Sequence, residues 1–164
     1  MTITVYSAAW FLPFVLPICL YVAYTDMARM KITNGANILL ACVFVIVGLI
    51  ALPFEDYLWR LVGLIVVLVV GFVLNAAGAM GAGDSKFIAA AAPFVALGDL
   101  RLLMFLFMAA LLAAVATHKT IKHTPLRRLA PHWTSWDQGK KFPMGLALGA
   151  TLGLYLTLGL MYGA

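Results

Sequence analysis

Charge is what this chain has least of: only 10% of its 164 residues are Asp, Glu, Lys or Arg, and six of them are acidic. A soluble domain of this length needs far more polar surface. Cysteine is almost missing too. Cys19 and Cys42 fall inside apolar runs and form no CxxC pair, which argues against a disulfide framework or a zinc site. The three histidines, His118, His123 and His132, lack both i, i+4 spacing and nearby acidic ligands, so no metal and no cofactor is expected. No basic residue precedes the first apolar run, whereas a cleavable secretory signal has a positive start and a shorter apolar core. That run is expected to remain as a membrane span.

Apolar residues fill the space that charge leaves. The chain is 65% hydrophobic, with a mean hydropathy of +1.04, and runs of about 18 or more apolar residues read as transmembrane helices. A formal net charge of +5 would suggest nucleic acid in a soluble protein. Here most cations flank apolar runs, so they read as topology signals and lipid anchors, and no nucleic-acid partner is expected.

The pattern predicts an all-α polytopic membrane protein: one domain, 1–164, with about six transmembrane helices over 5–25, 34–54, 61–80, 86–98, 101–117 and 142–161. Pro13 and Pro17 are expected to kink the first span, and Asn34-Gly35 to cap the second. Treating 86–117 as one helix would put Asp99 and Arg101 near mid-bilayer, at a cost of several kcal/mol, so two spans joined by a Gly98-Asp99 turn are preferred. With six spans, Arg29, Lys31, Lys86, Lys119, Lys122, Arg127, Arg128, Lys140 and Lys141 share one face, leaving Arg60 and Arg101 opposite. The positive-inside rule makes the first face cytoplasmic and leaves both termini outside. The basic loop 118–141, with Trp133 and Trp136, reads as a segment lying on anionic lipid.

The same parity puts Asp26 and Asp84 on the cytoplasmic face, each directly after an apolar helix end. Glu55, Asp56 and Asp99 belong to outside loops, and Asp137 lies in the basic loop. An ionisable group at a membrane edge is a functional-site hypothesis by default. Two carboxylates in a low-dielectric cleft cannot both ionise easily, so one keeps its proton. The ionised member can then draw a proton from a water attacking a peptide carbonyl, while the other donates to the developing oxyanion and to the leaving amine. Gly81 and Gly83, in Gly81-Ala82-Gly83-Asp84-Ser85-Lys86, allow a sharp turn and close approach of an extended substrate. Such a pair titrates as a unit, which leaves base and acid unassigned.

Plainer readings stand beside these. Asp84 is also placed to N-cap the fourth span, Asn34 to cap the second or to orient the Asp26 loop, and Lys86 to snorkel or to bias the pair toward ionisation. Two other classes of function remain: a small transporter component moving protons or cations through the aspartates, and a non-catalytic assembly platform. Transporters usually hold ionisable groups near mid-bilayer and show an internal repeat. This chain has no convincing repeat.

Three segments resemble the prepilin peptidases, or type IV leader peptidases, among the GxGD membrane aspartyl proteases. Gly81 to Lys86 is similar to their GxGDxK signature, and Asp26 with Ile32 and Asn34 to their first-aspartate motif. Phe142-Pro143-Met144-Gly145 is similar to the lead-in to their last span. Thr33 stands where proline is usual. The paired CxxC motifs of long bifunctional members are absent, so the chain resembles the short form of Flp or Tad-type systems and methyltransferase activity is not supported. The resemblance implies Asp26 and Asp84 as catalytic residues, with Gly81, Gly83, Lys86 and Asn34 in support. It also implies a prepilin or pseudopilin partner, cut between a basic leader and its apolar segment at the bacterial inner membrane. Oligomeric state is not legible.

Overall fold

The computed structural model describes residues 1–136 and 142–164. These residues form six α-helices and no strand: α1 (Val5–Arg29), α2 (Asn34–Ala51), α3 (Phe54–Ala76), α4 (Ala82–Ala91), α5 (Leu100–Lys122) and α6 (Met144–Tyr162). Among them α1, α2, α3, α5 with the turn before it, and α6 are long and apolar enough to cross a membrane. The chain is therefore a polytopic helical membrane protein.

Local chemistry explains most of the boundaries. Thr4 and Thr33 cap α1 and α2 by accepting from the Ser7 and Ala36 N–H groups. The cap of α2 is thus Thr33 rather than the expected Asn34-Gly35. A hydroxyl at this position satisfies an orphan helix donor, which offsets the missing proline. At the other end of α3, Gly78 takes a left-handed φ of 73°, Gly78 N–H donates to Asn75 O and Ala79 N–H to Leu74 O. That closes the helix as a Schellman motif and aims the chain at the glycine turn. Helix α1 runs continuously through Pro13 and Pro17.

Helix α4 has 10 residues, about 15 Å at the usual helical rise, or half a bilayer core. Pro93, which has no N–H to donate, sits in the 3-10 turn that replaces further α-helix. A second 3-10 turn, Leu97–Asp99, then completes the passage to the far end of the bundle. There Asp99 is buried at 5% exposure instead of standing in a loop. Its carboxylate accepts from Thr2 N–H at 2.7 Å, Ile3 N–H at 3.0 Å and the Tyr155 hydroxyl at 2.9 Å. Tyr155 Oη in turn accepts from Ala96 N–H, and Arg60 donates to Pro93 O. A broken helix is tolerated at membrane depth only where its freed polar groups find such partners.

The core lies between α1, α2, α4 and α6, around the packed rings of Phe11, Phe44, Phe94 and Tyr57. Helix α6 packs closest on α1, where added Cβ atoms on Gly149 and Gly159 would lie 2.8 Å from Cys19 O and 3.2 Å from Ala8 Cβ. Small residues permit such approach where lipid supplies no hydrophobic drive between helices. Helices α3 and α5 stay peripheral, with Tyr57 and Gly71 buried on the first and Ala110, Ala114 and His118 on the second.

Candidate active site

One end of the bundle gathers the last turn of α1, the first turns of α2, α4 and α6, and the end of α5. Asp26 belongs to this end, but in the helix and not in the loop expected after Thr25, because α1 continues to Arg29. Its side chain is 6% exposed. Asp26 Oδ2 accepts from Gly145 N–H at 2.6 Å. Helix α6 starts there without a side-chain cap of its own, since Pro143 occupies the N-cap position. The carboxylate thus fills the place of a cap, taking one of the orphan donors and facing the positive end of the helix dipole. Only glycine allows this approach: a Cβ on residue 145 would lie 2.8 Å from Asp26 Cβ and 2.9 Å from Oδ2.

Asp84 sits in the first turn of α4, whose N-cap is Gly81 and carries no side-chain cap bond. It does not cap the helix itself. Its carboxyl folds back over the turn, so a Cβ on Gly81 would lie 2.6 Å from Asp84 Oδ2. Asn75 Nδ2 holds the turn by donating to Met80 O at 2.9 Å. Burial, and then the charge of Asp26, push the Asp84 carboxyl up to about 6. Burial raises the Asp26 carboxyl too, against the pull of the Gly145 N–H.

The remaining expected residues join the two aspartates. Gly83 packs under the α1–α2 connection, where a Cβ would meet Ile32 Cβ at 3.2 Å. Lys86 Nζ donates to Asn34 Oδ1 at 3.0 Å, linking α4 to the start of α2. Gly81, Gly83, Lys86 and Asn34 are thus all found at the end that holds Asp26 and Asp84. Among the described residues no group of three His, Cys, Asp or Glu side chains is placed to hold a metal ion.

Some features here carry little sequence signal. Asn37, one turn into α2, is 6% exposed and its amide has no hydrogen-bond partner among the described residues. The lipid-facing placement expected of the two indoles in the basic loop fails at Trp136, which turns inward, while Trp133 is partly exposed. Trp136 is 1% exposed, stacks on His118 at 4.9 Å and donates from Nε1 to Ala130 O, while Trp133 packs on Tyr24. Thr134 Oγ1 donates to Ala28 O, fastening this loop beside Asp26. A buried indole whose N–H has found a carbonyl is satisfied, and its ring stack adds about 0.5–1.5 kcal/mol. Asp137, Lys140 and Lys141 lie outside the described residues.

A model of the type IV leader peptidase family matches residues 13–118, which include both aspartates and the glycine turn. The chain belongs to the type IV leader peptidase family. No curated protein and no solved structure gives a significant match. Membership of the leader peptidase family makes a protein substrate and peptide hydrolysis the frame for this site. The matched stretch stops before Gly145, the donor to Asp26.

Proposed function

We propose that the chain is an aspartyl endopeptidase that removes the short basic leader from prepilin or pseudopilin precursors, with Asp26 and Asp84 activating the water. What supports this reading is that two buried or half-buried carboxylates from separate helices lie at one end of the bundle, Asp26 against the start of α6 and Asp84 in the first turn of α4, where burial and the Asp26 charge raise the Asp84 carboxyl to about 6. The member of the pair that keeps a proton donates to the carbonyl oxygen and later to the leaving amine, and the ionised member takes the proton of the attacking water; burial raises both carboxyls, so the two titrate as a unit. The Gly145 N–H occupies Asp26 Oδ2 and leaves Oδ1 for this chemistry. Gly81 and Gly83 leave the turn open to an extended peptide, while Asn34 and Lys86 tie the α1–α2 connection to α4.

Arg29, Lys31, Lys86, Lys119, Lys122, Arg127 and Arg128 cluster at the end that carries the pair, which supports a cytoplasmic active site in the inner membrane with the termini outside. A hollow of about 480 Å³ bordered by Lys122, His123, Arg127 and Arg128 suits anionic lipid headgroups.

The test is co-expression with prepilins from the same genome, following leader removal by mass. The parent chain is expected to process a precursor, and Asp26→Asn and Asp84→Asn each to lower the rate by about 10²–10⁴-fold at normal membrane levels. Undiminished processing by both variants would sink the proposal and turn attention to ion flux or a platform role.

A further inference from the structure

Asn37 is buried at 6% exposure, and neither its Oδ1 nor its Nδ2 has a hydrogen-bond partner among the described residues. Burying an amide without partners costs free energy, so such a group is rarely left unpaired in a packed interface. Its place in the fold bears on why. Asn37 stands two turns before Phe44 on one face of α2, and Phe44 packs on Phe11 of α1 and on Phe94 just beyond α4. That face looks into the seam between α1 and α4.

Register sets the amide below the carboxylate end. Ile32 lies against Gly83, Asn34 accepts from Lys86 Nζ and Phe44 meets Phe94, so α2 and α4 run side by side in one direction. Asn37 is therefore level with 87–89, one turn deeper than Asp84, where Phe87 and Ala89 are buried and offer no polar side chain. Cα–Cβ bonds in a helix tilt toward its N-terminus, so the Asn37 side chain leans back up α2 toward the level of the aspartates.

The polar atoms of Asn37 say what would satisfy them. A carboxamide offers one acceptor oxygen and two N–H donors. A phosphate brings acceptors, a cation brings none, and an acyl chain offers neither kind of atom. A main-chain peptide unit brings one C=O and one N–H, which answer the donor and the acceptor of the amide together. The amide is sealed while the seam is closed, so a peptide reaches it as α2 and α4 part. Their rim is tied by the Lys86–Asn34 bond, which is exposed and competes with water. An unpaired amide inside raises the energy of the closed seam and so eases its opening.

We infer that Asn37 is a substrate-binding residue whose carboxamide pairs with a main-chain peptide unit of the precursor beside the scissile bond, reached when the α2–α4 seam opens. The inference rests on the peptidase reading above. It gives the floor of the site an uncharged grip on the peptide backbone, separate from the aspartates that cut.

The experiment uses the full chain in micelles with synthetic precursor peptides that carry the leader and the residues after it. Each peptide has a single amide-to-ester replacement near the scissile bond, which removes one N–H and weakens one carbonyl acceptor. Leucine has the branching of asparagine without its polar atoms. Asn37→Leu is therefore expected to melt at or above the parental temperature while kcat/KM falls about tenfold or more. One ester position is expected to lower kcat/KM about tenfold with the parent chain and less than about twofold with Asn37→Leu, the mark of a direct contact in a double-mutant cycle. Asn37→Ala serves the same cycle if the leucine variant fails to accumulate. Parental kinetics in these variants would overturn the assignment and leave the peptidase reading intact. So would ester penalties of equal size in variant and parent at every position, the result expected of an amide that only packs or holds a water. Failure of the parent chain to remove any leader would instead overturn the peptidase reading and this inference with it.

Discussion

Replacing Gly81 by alanine puts a methyl carbon 2.6 Å from Asp84 Oδ2. Ordinary contact begins near 3.4 Å, so the oxygen has to retreat by about 0.8 Å (3.4 less 2.6). The backbone has no objection, since Gly81 has φ −67° and ψ 142°, an extended conformation open to alanine. Nor, among the described residues, does a hydrogen bond hold the Asp84 side chain in place, so its flexible end is what yields. Glycine-to-alanine changes at compatible sites stabilise by about 0.4–1 kcal/mol through the unfolded chain. A displacement of about 1 Å in a reacting group can cost about 10²-fold. Glycine is the better residue at the N-cap of α4, which offsets that gain in stability, so we predict that Gly81→Ala changes stability by no more than about 1 kcal/mol while kcat for leader removal falls by about 10–100-fold. Gly35→Ala is the control, because a Cβ there meets nothing within 4 Å. Purified variants assayed on a prepilin, with melting followed in the same micelles, give both quantities. A Gly81→Ala variant that cleaves at the parental rate would refute the claim that the Asp84 carboxyl works from its observed position.

Three further predictions follow from the same contacts. The Asp84 carboxyl, raised to about 6, loses its proton as pH rises through that value, so kcat/KM is expected to fall on the alkaline side with an apparent pKa of the pair in that region. Its effect on stability has the same sign: the contribution is full below the ordinary value of 3.8 and is lost as pH rises through about 6. A flat rate profile from pH 5 to pH 8 would count against it. Gly145→Ala brings a methyl 2.8 Å from Asp26 Cβ, a carbon that cannot swing aside, and is expected to lower stability by about 1–3 kcal/mol in thermal or denaturant unfolding. Asp99→Asn turns an acceptor toward the Thr2 and Ile3 N–H groups into a donor at one oxygen, and should cost about 1–3 kcal/mol with kcat per folded molecule unchanged. Equal melting temperatures for Asp99→Asn and the parent would contradict that account.

The long apolar runs, the glycine turn and the two aspartates at helix ends are legible in the sequence because each is a local signal. Pro93 is also visible there, inside the stretch expected as a continuous fourth span. It marks the place where α4 gives way to 3-10 turns. Asp99 reads as an outer-loop residue because its partners, Thr2, Ile3 and Tyr155, are far away along the chain. Asp26 reads as the first residue of a loop for a similar reason: what keeps it helical and buried is the α1–α2 connection packed under Gly83 and a donor from α6. Apolarity reports which residues avoid water, and the boundaries here are decided by where single polar groups find partners. The inward-facing Trp136 depends on His118 and the Ala130 carbonyl, neither of which composition reveals.

Asp26 takes its hydrogen bond from Gly145, at the start of the last helix. A chain is made from its amino end, so α1 through α5 are synthesised before that N–H exists. Throughout this interval Asp26 lacks the donor that fixes Oδ2, and α6 lacks the carboxylate that caps it. The arrival of α6 settles both at once. The fixing of Asp26 and the capping of α6 thereby become a single event, one that waits for a donor 119 residues further along the chain.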